Sequence, residues 1–482
     1  MGSRESVKSP AQGNVDILAS NQLVVDQAIE AIGMGRYQWQ LLFSCGFGFL
    51  VDQILLISIS IIMPNAAKEF GPKYQVLLTA SLYAGLFVGV ITCGVLADLL
   101  GRKLVWQLSI FGVSIVTLLA ASSPNWAALN VWTSLCGLLA GGNLAIDLTV
   151  LTESMPRRWS FLLTGLACVW GLGNAIAALV SWPIVVAFCC PNGTTPETCS
   201  RHENMGWRYI DITLGLLCLV MSIARSFVLR MHESPKWLVS QSRIEDAVDA
   251  LNSISSKNKS DYTADIQQFY TMPEDVAKPT WFQDLKSAQE LFISRRNARL
   301  MVCLILLWVL VGICYPLYNV FLPYYLSTHG ANLEDGSSYQ TYRDMSVSST
   351  AGIFGPVLSA YLVRFRKLGD RGTLFITSCI CAKFAGLFTQ VRTEAQNIGF
   401  SCMINFWLNA SYAVIYAYTP ASLPTKHRGI GCGMLMACGR LVSVSAPFIA
   451  TFGDLSSGVP LWVSCAMYVC MGLLGLALPR LE

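Results

Sequence analysis

The sequence predicts an all-α membrane protein with twelve transmembrane helices in two pseudo-symmetric six-helix bundles. Only 13% of the 482 residues are charged, whereas a soluble domain carries about a quarter. The mean hydropathy is +0.51, and twelve apolar stretches approach the roughly 20 residues that cross a bilayer. The stretches divide into two sets of six around a polar segment, and the two sets share local patterns.

We number the apolar stretches as spans one to twelve in chain order. They cover residues 41–63, 77–97, 104–122, 128–151, 161–190, 209–229, 300–324, 346–365, 373–389, 398–419, 430–452 and 459–478. The fifth is long enough for its end to be a loop. The resulting domains are an N-terminal tail at 1–40, a six-helix bundle at 41–229, a linker at 230–299 and a second six-helix bundle at 300–482.

The linker contains one helical pattern. In "RIEDAVDALNSIS" (243–255), Ile244, Val248 and Leu251 recur at helical spacing and predict an amphipathic helix. A bracing element between the bundles is the simpler interpretation, and a partner site is the alternative.

Basic residues predict the orientation of the spans. The loops on the side of both termini hold 24 of the 33 Lys and Arg residues, the opposite loops hold six, and three lie within spans. Because Lys and Arg are enriched in cytoplasmic loops, both termini are predicted to be cytoplasmic. Residues 1–40 contain no apolar core of a cleavable signal peptide. We expect a multi-pass protein of the plasma membrane.

Similar segments follow corresponding spans of the two bundles. "DLLGRK" (98–103) follows span two and "RKLGDRG" (366–372) follows span eight. "ESMPRR" (153–158) follows span four and "ASLPTKHRG" (421–429) follows span ten. Two six-helix halves joined by a linker are typical of a transporter with a site between the halves. A channel of twelve unrelated spans would need no such repeat.

Several motifs carry a resemblance to a known family. "GVLADLLGRK" (94–103) matches the pattern G-x-L-x-D-x-x-G-R-K/R, and the other motifs are "GGNLAID" (141–147) with Glu153 and Pro156, "GWRY" (206–209), "ESPKWL" (233–238), "YPLYNVFLPYYL" (315–326) and "YTPxxxPTxxRG" (418–429). On these residues the chain resembles the major facilitator superfamily over essentially its whole length. It is similar to the branch of sugar porters and organic-ion carriers, and more closely to fungal transporters related to the synaptic vesicle two-like proteins.

The resemblance implies a cytoplasmic gate. The expected gate residues are Asp98, Gly101, Arg102, Lys103, Glu153, Arg371 and Arg428. By resemblance, Asp98 meets the N-terminal end of span eleven, where the helix dipole favours a carboxylate. Arg102 is expected to pair with Glu153. These contacts would hold the cytoplasmic side closed and break as it opens.

Two departures from the family pattern leave an alternative open. Ala421 stands where the second-half "YTP" motif usually continues to Glu, so one charge pair is expected to be missing. The arginine that sugar porters carry in span four is absent, since Cys136 and Gly137 precede Leu138. A proton switch of the sugar-porter type therefore cannot be transferred whole. The alternative is a non-transporting membrane receptor or vesicle protein on a transporter scaffold.

Ionisable side chains within spans are costly, so each is a functional candidate. Asp52 lies near the middle of span one in "FLVDQILL". By resemblance to proton-coupled porters it carries the coupling proton or contacts substrate; otherwise it is a structural carboxylate paired with Gln53 or another helix. Asn143 and Asp147 share one face of span four. Their side chains either line a cavity or form structural hydrogen bonds. Arg440 in span eleven suits an anionic substrate group or a carboxylate partner.

Polar aromatic residues mark spans seven and ten. In span seven, Tyr318 and Asn319 lie between two prolines and are candidates for the cavity, with an interfacial aromatic belt as the alternative. In span ten, Tyr416 belongs to a stripe of near-helical spacing that either lines the cavity or packs helices together. We include all three residues among the expected solute contacts.

Composition excludes several other classes of site. The 17 cysteines form no CxxC pair and no Cys/His ligand spacing, so no metal and no cofactor are expected. A net charge of +4 gives no basis for nucleic-acid binding. No nucleotide-binding loop is present, so an ATP-driven pump is unsupported. Outside the membrane, Asn192 lies in a glycosylation sequon, and Cys190 and Cys199 are permitted to form a disulfide.

The sequence therefore predicts a secondary transporter and not an enzyme. Two six-helix bundles are expected to move a small organic solute by alternating access, with protons as the coupling ion. The solute is a nutrient, an organic ion or a secondary metabolite, and uptake and efflux share this architecture. The expected partners are the solute, protons and the lipid bilayer, and we expect a monomer.

Overall fold

The structure, a computed structural model, describes residues 10–191, 194–228, 231–270, 289–328, 338–365, 367–423, 428–452 and 459–479. Within these ranges it omits the side chains of residues 10–16, 98, 228, 290, 317–328, 338, 429, 450–452, 459 and 460. The described residues form helices and no strands. Eleven described helical regions are long and apolar enough to cross a membrane, and Leu461–Ala477 is a shorter apolar helix at the twelfth predicted position. The predicted all-α membrane fold is confirmed.

The spans in the described part of the chain lie where the apolar stretches predict them. Spans one to three are Arg36–Phe70, Leu77–Leu100 and Arg102–Ala120. Span four is Trp126–Gly141 and Asn143–Ser154; span five is Phe161–Leu166 and Cys168–Phe188; span six is Gly206–Ile223, continued by a π-helical turn at Ala224–Val228. The fifth apolar stretch ends as a loop after Phe188.

The second set of spans follows the linker. Span seven is Arg295–Thr328; span eight is Ser338–Ala351 and Phe354–Val363; spans nine and ten are Gly369–Leu387 and Glu394–Ser422. Span eleven is Arg428–Ser443 and Ala446–Phe452, and span twelve is Val459–Ala477. We call spans one to six the first half and spans seven to twelve the second half.

The N-terminal segment contains a helix that the sequence analysis described only as a tail. This tail helix, Pro10–Ile32, buries Val25, Ala28 and Ile29. Burying an aliphatic side chain of this size is worth about 1.5–3 kcal/mol. The tail helix is therefore a packed part of the fold, and span one begins at Arg36, ahead of the apolar stretch at 41–63.

The linker packs against the tail helix and the start of span one. A short helix, Pro235–Ser240, is followed by the linker helix, Ile244–Asn258, which buries Val248, Leu251 and Ile254. Asn258 Oδ1 accepts the backbone N–H of Tyr37 at 2.9 Å, and Asn258 Nδ2 donates to Gln38 Oε1 at 2.7 Å. Among the described residues, the linker thus braces the first half. We call this the linker end of the molecule.

The opposite end carries a disulfide and a buried ion pair. Cys190 and Cys199 are bonded, and we call this the disulfide end. Arg208 donates to both carboxylate oxygens of Glu69 at 2.8 Å, and Trp207 Nε1 donates to Glu69 at 3.0 Å. These bonds tie spans one and six together beside the disulfide loop. Asn192, the expected glycosylation site, lies outside the described residues.

Spans two and four pack backbone against backbone. An added Cβ on Gly85 would lie 2.0 Å from the carbonyl oxygen of Ser134, and one on Gly89 would lie 2.1 Å from that of Leu138. Across the interface, a Cβ on Gly141 would lie 2.4 Å from the carbonyl oxygen of Leu86. Small residues allow this approach in membranes, where helix association depends on close packing.

The two halves touch at the disulfide end and in the middle. At the disulfide end, Asn65 Nδ2 donates to Tyr342 Oη at 3.2 Å, and the rings of Trp182 and Tyr339 are 5.0 Å apart. Midway, a Cβ on Gly171 would lie 2.5 Å from the backbone nitrogen of Ile353. Spans five and eight therefore form one seam between the halves.

The glycine interface predicts a position-specific stability loss. Gly89→Ala should destabilise the protein by about 1–3 kcal/mol, because the methyl group must push span four away. We expect a lower melting temperature of the detergent-purified protein. Gly94→Ala on the same helix is the control, since its Cβ would meet nothing within 4 Å. Equal melting temperatures for the two variants would contradict this packing.

Candidate functional site

A buried ion pair joins the two halves near the middle of the bundle. Arg440 Nη2 of span eleven lies 3.2 Å from Asp52 Oδ1 and 3.5 Å from Oδ2 of span one. The side chains are 14% and 6% exposed. Gln53 Nε2 also approaches Asp52 Oδ2, at 3.5 Å. Because removing one partner of a buried pair leaves an uncompensated charge, the two residues are expected to depend strongly on each other.

Aromatic rings surround Arg440. Tyr416 of span ten packs edge-on between Trp170 of span five and Trp308 of span seven, with ring centroids 4.4 Å and 4.5 Å away. Trp308 Nε1 donates to Thr419 Oγ1 at 3.1 Å, which fixes the indole. Tyr416 thus contacts residues of both halves.

A second contact between the halves lies beside this cluster. The Tyr315 hydroxyl of span seven donates to Gln53 Oε1 of span one at 3.2 Å. Tyr412 lies next to Tyr315, with ring centroids 6.1 Å apart, and its hydroxyl donates to the Val311 carbonyl at 3.3 Å. Gln53 therefore reaches both the ion pair and an aromatic residue of the other half.

These groups line a cavity of about 40 Å³ between the halves. Its lining is Gln53, Leu56, Tyr83, Trp170, Trp308, Val311, Gly312, Tyr315, Pro316, Asn409, Tyr412, Tyr416, Gly439, Arg440 and Ser443. Mostly apolar walls with a few placed polar groups are typical of pockets for small molecules. We call this the central cavity.

The structure brings together some of the expected solute contacts. Arg440 and Tyr416 line the central cavity, and Asp52 lies behind Arg440. Tyr318 and Asn319 have side chains outside the described part. Among the described residues, the lining includes neither Asn143 nor Asp147, which we expected there.

Asn143 and Asp147 instead bind an arginine inside the first half. Arg225 Nη2 lies 2.5 Å from Asp147 Oδ1, and Arg225 Nη1 lies 3.1 Å from Asn143 Oδ1. The guanidinium lies 3.4 Å from the ring centroid of Trp106, whose Nε1 also donates to Asp147. Both charged side chains are at most 1% exposed. The physical reason is charge compensation: the carboxylate faces the arginine of span six and so points away from the central cavity.

The expected gate residues meet within the first half. Arg102 forms an ion pair with Glu153, and the Ser234 hydroxyl donates to Glu153 Oε2 at 2.7 Å. Glu233 accepts the backbone N–H groups of Arg102 and Lys103 at 3.1 Å and 3.2 Å. Spans three and four and the segment after span six are thereby joined. This ion pair lies inside one half, whereas we expected a contact that breaks as the halves separate.

Gly101 makes this arrangement possible. Its φ of +100° is a conformation that favours glycine, and an added Cβ would lie 2.9 Å from Glu233 Oε2. The chain turns here from span two into span three, whose first N–H groups face the Glu233 carboxylate. A carboxylate at a helix N-terminus is favourable because it accepts unpaired N–H groups and meets the positive end of the dipole.

The remaining gate residues lie apart from this ion pair. Arg428 is the first residue of span eleven, and Cys432, one turn further on, lies within electrostatic range of Arg428, Arg102 and Glu153. Arg371 lies at the start of span nine and donates to the Leu476 carbonyl. The Asp98 side chain lies outside the described part of the structure.

At the linker end, His232 lies outside the spans. It stacks near Tyr37, with ring centroids 5.7 Å apart, and one ring nitrogen is 3.1 Å from Ser253 Oγ. Burial lowers the pKa of His232, and the nearby Lys257 and Lys103 lower it further. The imidazole is therefore a neutral packing group and not a charge of the gate.

A second, apolar cavity opens between spans one, five and eight. It has a volume of about 660 Å³ and is lined by Phe43, Phe47, Phe161, Leu172 and Tyr361 among others. Phe43 and Tyr361 are exposed. Arg364 contributes the charge in its wall and lies 4.7 Å above the Phe161 ring. We call it the lateral crevice.

Several important residues escaped the sequence analysis. Trp170, Trp308 and Tyr83 line the central cavity but lie in apolar spans, where an aromatic residue is usually packing. The sequence alone could have identified Arg225 as a candidate, because an arginine within a span is costly. Among the described residues, no group of three or more His, Cys, Asp or Glu side chains is arranged to hold a metal ion.

The sequence profile described as the Major Facilitator Superfamily matches residues 42–447. The chain is 32% identical to "MFS siderochrome iron transporter 1" of Ceriporiopsis subvermispora, covering 95% of this chain and 89% of that protein. It is 27% identical to "Niacin transporter NiaP" of Acinetobacter baylyi, covering 88% of this chain and 89% of that one.

A solved structure supports the fold. The proton:xylose symporter XylE bound to 6-bromo-6-deoxy-D-glucose superposes with a TM-score of 0.65, covering 92% of this chain and 94% of that chain, at 16% identity. At this identity the likeness concerns the fold alone. It shows the arrangement of helices that the spans and their two halves indicate.

The buried network of the first half predicts strong coupling between two variants. Arg225→Gln should lower the free energy of unfolding by about 3–5 kcal/mol, because Asp147 stays buried without its cation. Adding Asp147→Asn should recover much of this loss, since an amide pair buries no charge. Unfolding in a denaturant series measures both variants. A double variant less stable than Arg225→Gln would contradict the assignment.

Proposed function

The chain belongs to the Major Facilitator Superfamily, and we propose that it moves a small organic solute by alternating access with protons as the coupling ion. As a member of this family it is a multi-pass membrane transporter of small solutes and not an enzyme. The proposal concerns the coupling, the site and the orientation. The observation that carries it is the Asp52–Arg440 pair, which joins the two halves beside the central cavity.

The ion pair gives protons a way to act on the halves. In alternating access the two halves rock about a central site. Asp52 and Arg440 lie on different halves, so their pairing stabilises the arrangement in which both spans meet. Protonation of Asp52 removes its charge and weakens this attraction. Arg440 is then available to a solute in the cavity that it lines.

The relatives do not share one cargo. One is named for siderochrome iron, one for niacin and the solved structure for xylose. Cargo therefore follows from the lining of each site and not from the fold. Here the lining combines aromatic rings with one arginine, which supports an organic solute with an apolar body and one polar end.

The linker end is proposed to stabilise the first half as a rigid unit during this movement. Arg102, Glu153 and Glu233 hold spans three and four to the segment after span six. Cys432, one turn after Arg428 in span eleven, lies within electrostatic range of Arg102 and Glu153 of this cluster. We assign the role of a latch to the contact between these two surfaces, with Asp98 and Lys103 as its further charges. Arg371, which donates to the Leu476 carbonyl within the second half, lies outside this latch.

The orientation proposed from the basic residues places the linker end in the cytoplasm. The disulfide between Cys190 and Cys199 supports this orientation, because disulfides persist on the oxidising side of a membrane. A plasma-membrane location, glycosylation of Asn192 and a monomeric state complete the proposal.

Solute exchange in proteoliposomes tests the coupling. Asp52→Asn should abolish solute accumulation driven by an inwardly directed proton gradient, because an amide at this position cannot bind and release a proton. Counterflow of the same solute without a gradient should continue. Asp246→Asn is the control, since Asp246 is an exposed acid of the linker helix.

Two results would contradict the proposal. Normal pH-driven accumulation in Asp52→Asn would exclude Asp52 as the coupling residue. Failure of the wild-type protein to exchange any member of a broad panel, including niacin, would favour the receptor interpretation.

A further inference from the structure

We propose that the cargo is a small aromatic carboxylate anion, which replaces Asp52 as the partner of Arg440 while Asp52 takes up one proton. This inference rests on the proposed function and goes further by naming the class of solute and the charge that moves with it. It follows from two features of the central cavity: its charges and its rings.

The first feature is the set of ionisable groups around Asp52. Arg440 of span eleven is its charged partner. Tyr83 of span two, Tyr315 of span seven and Tyr416 of span ten are the other titratable groups that face it. Phenols are neutral at ordinary pH. The described site therefore holds one negative and one positive charge, and its net charge is zero.

The two charged groups differ in how they can be neutralised. A carboxylate can take up a proton, but a guanidinium cannot release one in a protein. A cationic solute bound to Asp52 would leave Arg440 charged and uncompensated. An anion bound to Arg440 leaves the Asp52 carboxylate without its cationic partner. The carboxylate then takes up one proton from water, which forms one O–H bond and neutralises it. The pair therefore selects for anions, and each bound anion is accompanied by one proton.

A neutral solute fits this site less well. A neutral solute brings no negative charge that could replace Asp52 as the partner of Arg440. The Asp52–Arg440 ion pair would therefore stay intact. Such a solute gains no charge-assisted hydrogen bond, which is roughly twice as strong as a neutral one. The ratio of the affinities for a carboxylate and for its amide analogue is therefore the most direct test of this arrangement.

The rings determine the shape of the solute. Trp170, Trp308 and Tyr416 line the same cavity as Arg440, and Tyr416 packs edge-on against both indoles. Flat rings offer offset and edge-to-face contacts that a puckered aliphatic ring cannot make equally well. An aromatic ring with one carboxylate satisfies both the arginine and the walls.

The exchange of partners makes transport electroneutral. In the empty site, Asp52 balances Arg440. In the loaded site, the solute balances Arg440 and Asp52 is neutral. Neither state carries a net charge through the membrane, so the membrane potential does no work on the halves as they rock. A pH gradient alone drives accumulation.

Calorimetric binding to the purified protein tests this without transport. The probes are benzoate, its neutral analogue benzamide and the non-aromatic cyclohexanecarboxylate. We expect benzoate to bind about 10–100-fold more tightly than benzamide, the range of one hydrogen bond to a charged group. Cyclohexanecarboxylate should bind more weakly than benzoate. Titrations in buffers of different ionisation enthalpy should show close to one proton taken up per benzoate.

Affinity should therefore depend on pH with a defined sign. Because the loaded site binds one more proton than the empty site, the benzoate affinity should fall about tenfold for each unit of rising pH. In Asp52→Asn this slope and the proton uptake should disappear while benzoate still binds. Arg440→Gln combined with Asp52→Asn should lose the preference for benzoate over benzamide, and it buries no unpaired charge that would impair folding. Arg364→Gln in the lateral crevice is the control and should match wild type.

The outcomes separate this inference from the proposed function. Equal binding of benzoate and benzamide, or benzoate binding without proton uptake, overturns the inference. If proteoliposomes exchange other solutes by a route that needs Asp52 and protons, the proposed function remains supported although the inference about the cargo fails. Accumulation of benzoate that follows an imposed membrane potential at equal pH also overturns the electroneutral exchange.

Discussion

A charge buried between membrane helices must meet an opposite charge, and this constraint sets the arrangement of the interior. Asp147 and Arg225 satisfy it within the first half, where Trp106 and Asn143 complete their bonds. Asp52 and Arg440 satisfy it across the two halves. In the proposed alternating access the first pair would stay together, because both of its members belong to one half. The second pair would respond to the movement, because its members belong to different halves.

The same distinction separates the linker end from the central cavity. Arg102, Glu153 and Glu233 join elements of one half, and the tail helix and linker helix pack on that same half. These contacts give the first half a stiff base. The cavity lies at the seam, where Tyr315 meets Gln53 and Trp170 meets Tyr416. Contacts within one half and separate contacts between the halves are the arrangement that the proposed alternating access needs.

The fold could be predicted from hydropathy because crossing a bilayer demands long apolar helices, and twelve such stretches are visible in the chain. The site could be predicted in part. Asp52 and Arg440 stand out as charges within spans, and Tyr416 lies in a polar stripe, but hydropathy does not tell which helix faces meet. For that reason the sequence leaves the partner of Asp52 open, and it allows Asp147 either a place in a cavity or a structural hydrogen bond. The structure shows the second, with Arg225 as the partner. Trp170 and Trp308 resemble ordinary packing residues until span ten brings Tyr416 between them.

The lateral crevice changes what a measurement of this protein's stability reports. Its wall is almost wholly apolar and opens at the side of the bundle between spans one, five and eight. Water in that space would leave the wall unfavourably hydrated, whereas a hydrocarbon tail fills it at little cost. The amphiphile around the protein is therefore one of its packing components. Melting temperatures of variants are comparable only in one detergent or lipid, since a change of chain length alters the folded state itself.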